Sequence, residues 1–265
     1  MKIGVIGYGV VGEAVGESLK EIGHEVFAHD IVFETTIEDV LDTELCFLCV
    51  PTPKDEDGQC DISVVEEVIK ELDRKKYKGL ICIKSTVKPG TTQFFIEKFS
   101  NLEICFVPEF LRERCAKEDF QLNHDLCIIG CNKDHHFELL KIAHGKYPKK
   151  IKKVSPTEAE ICKYFNNVYN ATLIVFANSF YEVCKSLSAD YDKVKNTMVE
   201  RDHIGDFYLD CGENLRGFGG MCLPKDTSAI ASFCEAQGLE VGFFKNLLEE
   251  NKKYKVTVFD GMRKE

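Results

Sequence analysis

The chain has 265 residues, 44% apolar and 29% charged, with a formal net charge of −10 and a pI near 5.3. That length buries one large core or two modest ones, and the acidic balance argues against a nucleic-acid partner, which would call for a basic face. No apolar run approaches the roughly 20 residues of a membrane span, and Met1-Lys2 leads into an apolar strand without a signal peptide; the expectation is a cytoplasmic protein with no membrane partner.

Residues 2–6, K-I-G-V-I, read as a strand. Gly7, Gly9 and Gly12 follow in G-x-G-x-x-G spacing, then an amphipathic stretch through about Ile22, then H-E-V-F-A-H-D ending at Asp30. Strand, glycine turn, helix, strand and acid make the βαβ unit that binds dinucleotides. Gly7 permits the tight turn, Gly9 lets backbone approach a pyrophosphate, and Gly12 allows close helix packing. The helix N-terminus offers N–H donors to phosphate. Asp30, 18 positions after Gly12, would accept from ribose hydroxyls and repel a 2′-phosphate, so NAD is expected rather than NADP.

Only 14 residues separate Asp30 from Leu45, and T-T-I-E-D-V-L within them reads as one short helix. A full crossover needs about a dozen residues for itself, so the second crossover helix and the edge strand it serves are expected to be missing. Alternation then resumes: strand 45–50, helix 62–74, strand 80–83, helix 91–99, strand 103–107, strand 126–130, helix 133–144 and strand 151–154. This predicts a mostly parallel sheet with helices on both faces. At Ser155, S-P-T-E is a capping box with proline at the first helical position, launching a helix to about Leu187. The remainder reads as helical apart from a glycine loop at 205–223. The predicted fold is α/β: an N-terminal Rossmann-like doubly wound sheet over 1–154, followed by an all-helical central domain over 155–265.

Several of the 13 cysteines sit in apolar strings such as L-C-F-L-C-V, where they act as small hydrophobes. Cys46 and Cys49 form a C-x-x-C inside a strand and point to opposite faces. No second C-x-x-C or matched histidine pair accompanies them, so no metal is expected. K-Y-P-K-K-I-K-K at 146–153 reads as a solvated linker rather than a phosphate patch.

Three polar loops follow strand ends, where doubly wound sheets place their ligands. They are V-P-T-P at 50–53, K-S-T-V-K-P-G at 84–90 and V-P-E-F-L-R-E at 107–113. Together they set Thr52, Thr86, Glu109 and Glu113 along one rim. Lys163 and Asn167 are four apart and share a helix face. G-F-G-G-M-C-L-P-K-D-T at 217–227 puts Cys222 in a glycine-rich turn. Such a turn is a poor way to build a core and suits a nucleophile. Lys163 and Lys225, if they converge on the sulfur, would favour the thiolate.

With G-Y-G-V-V-G, V-P-T-P, K-S-T, P-E-F-L-R-E, K-Y-F-N-N and F-G-G-M-C-L-P-K-D in that order, the chain resembles the UDP-glucose/GDP-mannose dehydrogenase family, its UDP-glucose 6-dehydrogenases above all. The resemblance implies that a sugar primary alcohol is oxidised twice to a carboxylate with two NAD+, UDP-glucose giving UDP-glucuronate for polysaccharide synthesis. Cys222 would carry a thiohemiacetal and then a thioester. Lys163 would stabilise the oxyanion. Asp226 and Thr86 would hold the water, Glu113 would act as acid and base, and Asn167 would orient sugar or oxyanion. Implied cofactor contacts are Gly7, Gly9, Val10, Val11, Gly12, Asp30, Thr52, Thr86, Glu113 and Lys225. Implied substrate contacts are Glu109, Phe110, Leu111, Lys163, Asn167 and the backbone around Phe218-Gly219-Gly220.

The family also implies a homodimer through the long helix, whose Ile161, Phe165, Val168, Thr172 and Val175 form a broad apolar face. Two departures stand out. The family continues into a further domain that closes over the nucleotide, so a separate chain is one expected source of those groups. Where the family carries D-x-R-I-G, this chain reads R-D-H-I-G, with His203 at the arginine's place. A catalytically weak NAD-binding or assembly module is therefore an alternative. A two-electron β-hydroxyacid dehydrogenase is another, though it has no use for a covalent cysteine.

Overall fold

In the computed structural model, which describes residues 1–55 and 58–257, the chain forms two compact units. The first takes residues 1–53 with 60–163, the second 54–59 with 164 onward.

The first unit is built on seven strands: β1 (Lys2–Ile6), β2 (Glu25–His29), β3 (Leu45–Leu48), β4 (Leu80–Ile83), β5 (Glu103–Phe106), β6 (Cys127–Gly130) and β7 (Ile151–Val154). They lie in the order β2-β1-β3-β4-β5-β6-β7. All pairs are parallel except β5 with β6, which meet antiparallel with Phe106 opposite Gly130. The helices are α1 (Val10–Glu21), α2 (Ser63–Arg74), α3 (Thr91–Lys98), α4 (Ala116–Gln121) and α5 (Asp134–His144). A Rossmann-type sheet is thus present as expected, with one antiparallel step. The short, polar α4 has no apolar period and went unread in the sequence.

Burial on both faces explains the apolar strand sequences. In β3, Leu45 and Phe47 face a layer with Val15 and Leu19 of α1 and Leu140 of α5. Cys46 and Leu48 face the other layer, with Val65 and Ile69 of α2 and Phe95 of α3. Cys82, Cys105 and Cys127 are buried in the same sheet, and burial pushes the Cys127 thiol up to about 12. Between β2 and β3 only a 3-10 turn, Ile37–Val40, is inserted, closed by a Thr36–Asp39 capping box. Among the described residues no strand lies beyond β2, so it forms the sheet edge, as the short connection predicted. The opposite edge, β7, exposes Lys152 and Lys153, charges that discourage edge pairing.

Helix α6 (Pro156–Ser186) starts with the predicted box. Ser155 Oγ accepts from the Glu158 N–H at 3.3 Å, and Glu158 Oε2 accepts from the Ser155 N–H at 2.7 Å. Its first turns, through Lys163, belong to the first unit. There a Cβ on Gly130 would lie 2.5 Å from the Ala159 Cβ, so β6 carries no side chain at that point. The fully buried Glu160 accepts from the Gly90 N–H at 2.6 Å and the Thr92 N–H at 2.7 Å, capping α3 from outside it. Burial pushes the Glu160 carboxyl up, against the pull of those donors.

The second unit contains the rest of α6 with α7 (Tyr191–Met198), α8 (Leu223–Ala236) and α9 (Phe243–Asn251). Val168, Ala171 and Val175 of α6 pack with Phe218, Leu247 and Tyr254. A second cluster joins Ala177, Cys184, Tyr191, Leu209 and Cys211. The apolar face expected on α6 divides: Val168 and Val175 are buried, while Ile161 and Phe165 are exposed, as are Tyr169, Phe176 and Phe180. Among the described residues no helix is long and apolar enough to cross a membrane.

Glu160→Ala would leave the buried Thr92 N–H and the partly buried Gly90 N–H without acceptors. We expect a loss of about 2 kcal/mol of stability, read as a lower urea midpoint with an unchanged slope.

Candidate functional site

The turn after β1 shows why its glycines are glycines. Gly7 has φ +86°, and a Cβ there would lie 2.7 Å from the Cys49 carbonyl. A Cβ on Gly12 would lie 1.9 Å from the Gly7 oxygen. A Cβ on Gly9 would meet nothing within 4 Å, so space is open over the first turn of α1. Gly9 is the N-cap of α1 without a side-chain cap, and the N–H groups of Val10, Val11 and Gly12 have no partner within the helix. Asp30, at the tip of β2, accepts from the Tyr8 N–H through Oδ2 at 2.6 Å and from the Val32 N–H through Oδ1 at 3.1 Å. Its carboxylate is thereby fixed beside the turn. Open backbone donors and an oriented acid fit a dinucleotide.

The rim loops are tied together by buried polar contacts. Cys60 Sγ lies 3.0 Å from the Thr86 carbonyl and 3.8 Å from that of Thr52. Ser85 Oγ donates to the Val50 carbonyl at 2.7 Å. Lys84 is buried, donates to the Val107 carbonyl at 3.3 Å, and lies over the Phe47 ring. Arg112 grips Asp119 through its backbone N–H, Nε and Nη2 at 2.6–2.9 Å. Burial alone would push the Asp119 carboxyl up, but Arg112 outweighs it and holds the group well below the carboxylate range. That grip fixes the loop on which Glu113 opens a 3-10 turn.

Lys163 reaches into this loop. Its Nζ donates to the Glu109 carbonyl at 2.6 Å and to Glu109 Oε1 at 2.8 Å, and lies over the Phe110 ring. The Leu111 N–H donates to Glu109 Oε2 at 2.7 Å. Burial works to raise the Glu109 carboxyl, but the Lys163 charge and hydrogen bond, the Leu111 N–H and Lys84 together bring it down.

In the second unit, Cys222 is exposed and stands at the N-cap of α8 with helical backbone angles, φ −90° and ψ −55°. The glycine turn ends before it, at Gly220, where φ is +74°. Asp226, one turn on, is buried; its N–H donates to the Cys222 carbonyl at 2.9 Å. Its Oδ1 accepts from Lys225 Nζ at 2.7 Å and its Oδ2 from Asn167 Nδ2 at 2.6 Å. Phe218 is turned into the core, and Asn251 holds its backbone on both sides, at 2.8 and 2.9 Å. That leaves Gly219 and Gly220 as the open part of the loop. His203 lies in a turn in which the Ile204 N–H donates to the Arg201 carbonyl at 2.9 Å.

The structure thus joins Asp30 to the glycine turn, Thr52 to Thr86, Lys163 to Glu109, and Asn167 with Lys225 to Asp226. Each of the two lysines read as partners of the thiol has a carboxylate of its own. Lys84, Cys60, Glu160 and Asn251 escaped sequence reading. Lys84 carried a weak signal, a charged residue at the end of an apolar strand; Asn251, 33 residues from Phe218, carried none.

Glu109→Gln would leave the buried Lys163 charge without its carboxylate. We expect a loss of about 3 kcal/mol by urea denaturation. Because the folded pKa of Glu109 lies below its unfolded value, this stabilisation is present at neutral pH. It falls away in the parent as pH drops below about 4.3 and through the folded pKa; the variant should lack that part of the acid sensitivity.

The sequence and the fold both match known proteins. The family model described as the UDP-glucose/GDP-mannose dehydrogenase family, NAD binding domain, matches residues 29–146, and that of the central domain matches residues 157–253. The UDP-glucose 6-dehydrogenase AglM of Haloferax volcanii is 30% identical over 99% of this chain and 72% of its own. The UDP-glucose 6-dehydrogenase TuaD of Bacillus subtilis is 30% identical over 98% of this chain and 64% of its own. A solved UDP-glucose dehydrogenase from the archaeon Pyrobaculum islandicum superposes with a TM-score of 0.85 at 30% identity, over 95% of this chain and 68% of its own. The chain therefore spans about two thirds of these relatives, and it belongs to the UDP-glucose/GDP-mannose dehydrogenase family, carrying that family's NAD-binding and central domains.

Proposed function

We propose that the chain is an NAD-dependent nucleotide-sugar dehydrogenase that oxidises a primary alcohol to a carboxylate, with UDP-glucose as substrate. The observation that carries this reading is the set around the start of α8: an exposed Cys222 at the helix N-terminus, and one turn on a buried Asp226 held by Asn167 and Lys225. A two-electron oxidation of an alcohol to a ketone has no use for a nucleophile so placed.

Gly9, Val10, Val11 and Gly12 would hold the pyrophosphate on backbone donors, Asp30 the ribose, and Thr52, Thr86, Glu113 and Lys225 further parts of the cofactor. NAD+, when bound, supplies the hydride acceptor. The helix N-terminus favours negative charge on sulfur, the form that attacks. Loss of a hydride from the primary carbinol carbon and a proton from its hydroxyl first gives the aldehyde; Cys222 Sγ then adds to the aldehyde carbon, and the carbonyl oxygen takes a proton to become the thiohemiacetal hydroxyl. Loss of a hydride from that carbon and a proton from that hydroxyl leaves the thioester. Water then adds, and the C–S bond breaks to give the carboxylate and return the Cys222 thiol. Lys163 is the cation for the tetrahedral oxygen and Asn167 its hydrogen-bond donor. On the family resemblance, Asp226 and Thr86 would hold the water and Glu113 would move the proton. Glu109 fixes Lys163; Phe110, Leu111 and the Phe218-Gly219-Gly220 backbone border the sugar.

We assign the cofactor part to residues 1–154 and the central, dimer-forming part to 155–265. The exposed face of α6, with Phe165, Phe176 and Phe180, supports a homodimer. The cytoplasm supplies both NAD and sugar nucleotide.

Mixed with NAD+ and UDP-glucose, the protein should produce two NADH per sugar. Cys222→Ser should lower steady acid formation by about a thousandfold or more while leaving NAD affinity by calorimetry unchanged. One NADH per sugar would exclude the covalent route. No NADH with NAD binding intact would favour an NAD-binding or assembly module.

A further inference from the structure

We propose that Glu103, His135 and His136 form a binding site for a divalent transition-metal ion, at the end of the sheet opposite the Gly7, Thr86 and Glu109 loops. The antiparallel register of β5 and β6 creates the site. With Phe106 opposite Gly130, the start of β5 runs beside the start of α5. Glu103 therefore meets residues more than thirty positions away, and no spacing motif announces the cluster.

One ligand atom from each of the three residues falls within 4.8 Å of the others. His136 Nε2 lies 2.8 Å from Glu103 Oε2, and the His135 and His136 rings stand edge to face with centroids 4.3 Å apart. Two ligands about 2.1 Å from a tetrahedral zinc ion lie roughly 3.4 Å apart. Closing the set requires the His136–Glu103 contact to open and the exposed His135 side chain to turn toward the pair.

The second observation is His136 itself. It is 3% exposed, and its Nδ1 has no hydrogen-bond partner among the described residues, while its Nε2 meets the Glu103 carboxylate. A buried imidazole nitrogen without a partner is costly unless its lone pair goes to a ligand.

The remaining charges around the cluster set the terms. Lys133 Nζ donates to both Glu103 oxygens, at 2.6 and 2.7 Å, so ammonium and metal compete for one carboxylate. Asp134 is taken by Lys153. Two imidazoles and one carboxylate suit zinc, cobalt, nickel or copper and not calcium or magnesium, which want oxygen ligands. His135 faces solvent, so water completes the coordination. An ion there would clip β5 to α5.

The test titrates Co(II), then Zn(II) in competition, into the full chain and into the Cys222→Ser variant, which removes the exposed thiol. The expected result in both is one Co(II) per chain at this site, with visible d–d bands. In Cys222→Ser no thiolate charge-transfer band should appear in the near ultraviolet, and saturating Zn(II) should raise Tm by on the order of 5 °C. His135→Ala and Glu103→Gln, both at accessible positions, should weaken binding at least about tenfold. Lys133→Met should tighten it severalfold, an effect that a merely structural Glu103 would not produce. Affinity unchanged in His135→Ala and Glu103→Gln overturns the proposal, as does an affinity in Lys133→Met no tighter than the parent's. No stoichiometric Co(II) binding in Cys222→Ser overturns it as well.

Discussion

A sheet covered on both faces can meet a ligand only at the ends of its strands. In the first unit, β1, β3, β4 and β5 are sealed between two apolar layers, so every polar group with a role must sit where a strand runs out. Gly7 follows β1, Val50 and Thr52 follow β3, Lys84 and Thr86 follow β4, and Val107 and Glu109 follow β5. The parallel direction of these strands puts all four loops at one end. That single constraint explains why residues spread over a hundred positions can serve one ligand.

Holding those loops rigid requires charge to be buried beside the core, and the chain handles this by pairing. Lys163 is matched by Glu109 and Arg112 by Asp119; within the second unit Asp226 is matched likewise, by Lys225 and Asn167. Such pairs add little net stability over an apolar substitute, because desolvation offsets the attraction. What they give is position: a lysine with two bonds to Glu109 and a ring beneath it has one place to be. The proposed oxyanion cation is thus preorganised before substrate arrives, which is where electrostatic stabilisation gains its effect.

Much of this was legible in the sequence. The strands, the G-x-G-x-x-G turn, the capping box at Ser155 and the missing crossover after β2 all follow from local pattern, because glycine sterics, capping and chain length act over a few residues. Contacts made by tertiary register were not legible. Glu160 caps α3 from about seventy positions away. Asn251 holds Phe218 across 33, and Glu103 meets Lys133 across 30. Cys222 illustrates the boundary. Its glycine-rich approach marked it as a candidate nucleophile, yet its place at a helix N-terminus depends on where α8 begins, which L-P-K-D only hints at through its proline.

The helix starts show how the fold directs negative charge. An uncapped N-terminus attracts anions through its N–H groups and dipole. At α3 that attraction is spent internally, since the Glu160 carboxylate takes the N–H groups of Gly90 and Thr92. At α1 and α8 no side-chain cap is present, and both follow glycines around which a Cβ would find no neighbour, Gly9 and Gly220. The closed start removes a competing site beside the Thr86 loop. The open ones leave backbone donors where the proposed chemistry places a pyrophosphate in one unit and a thiolate in the other.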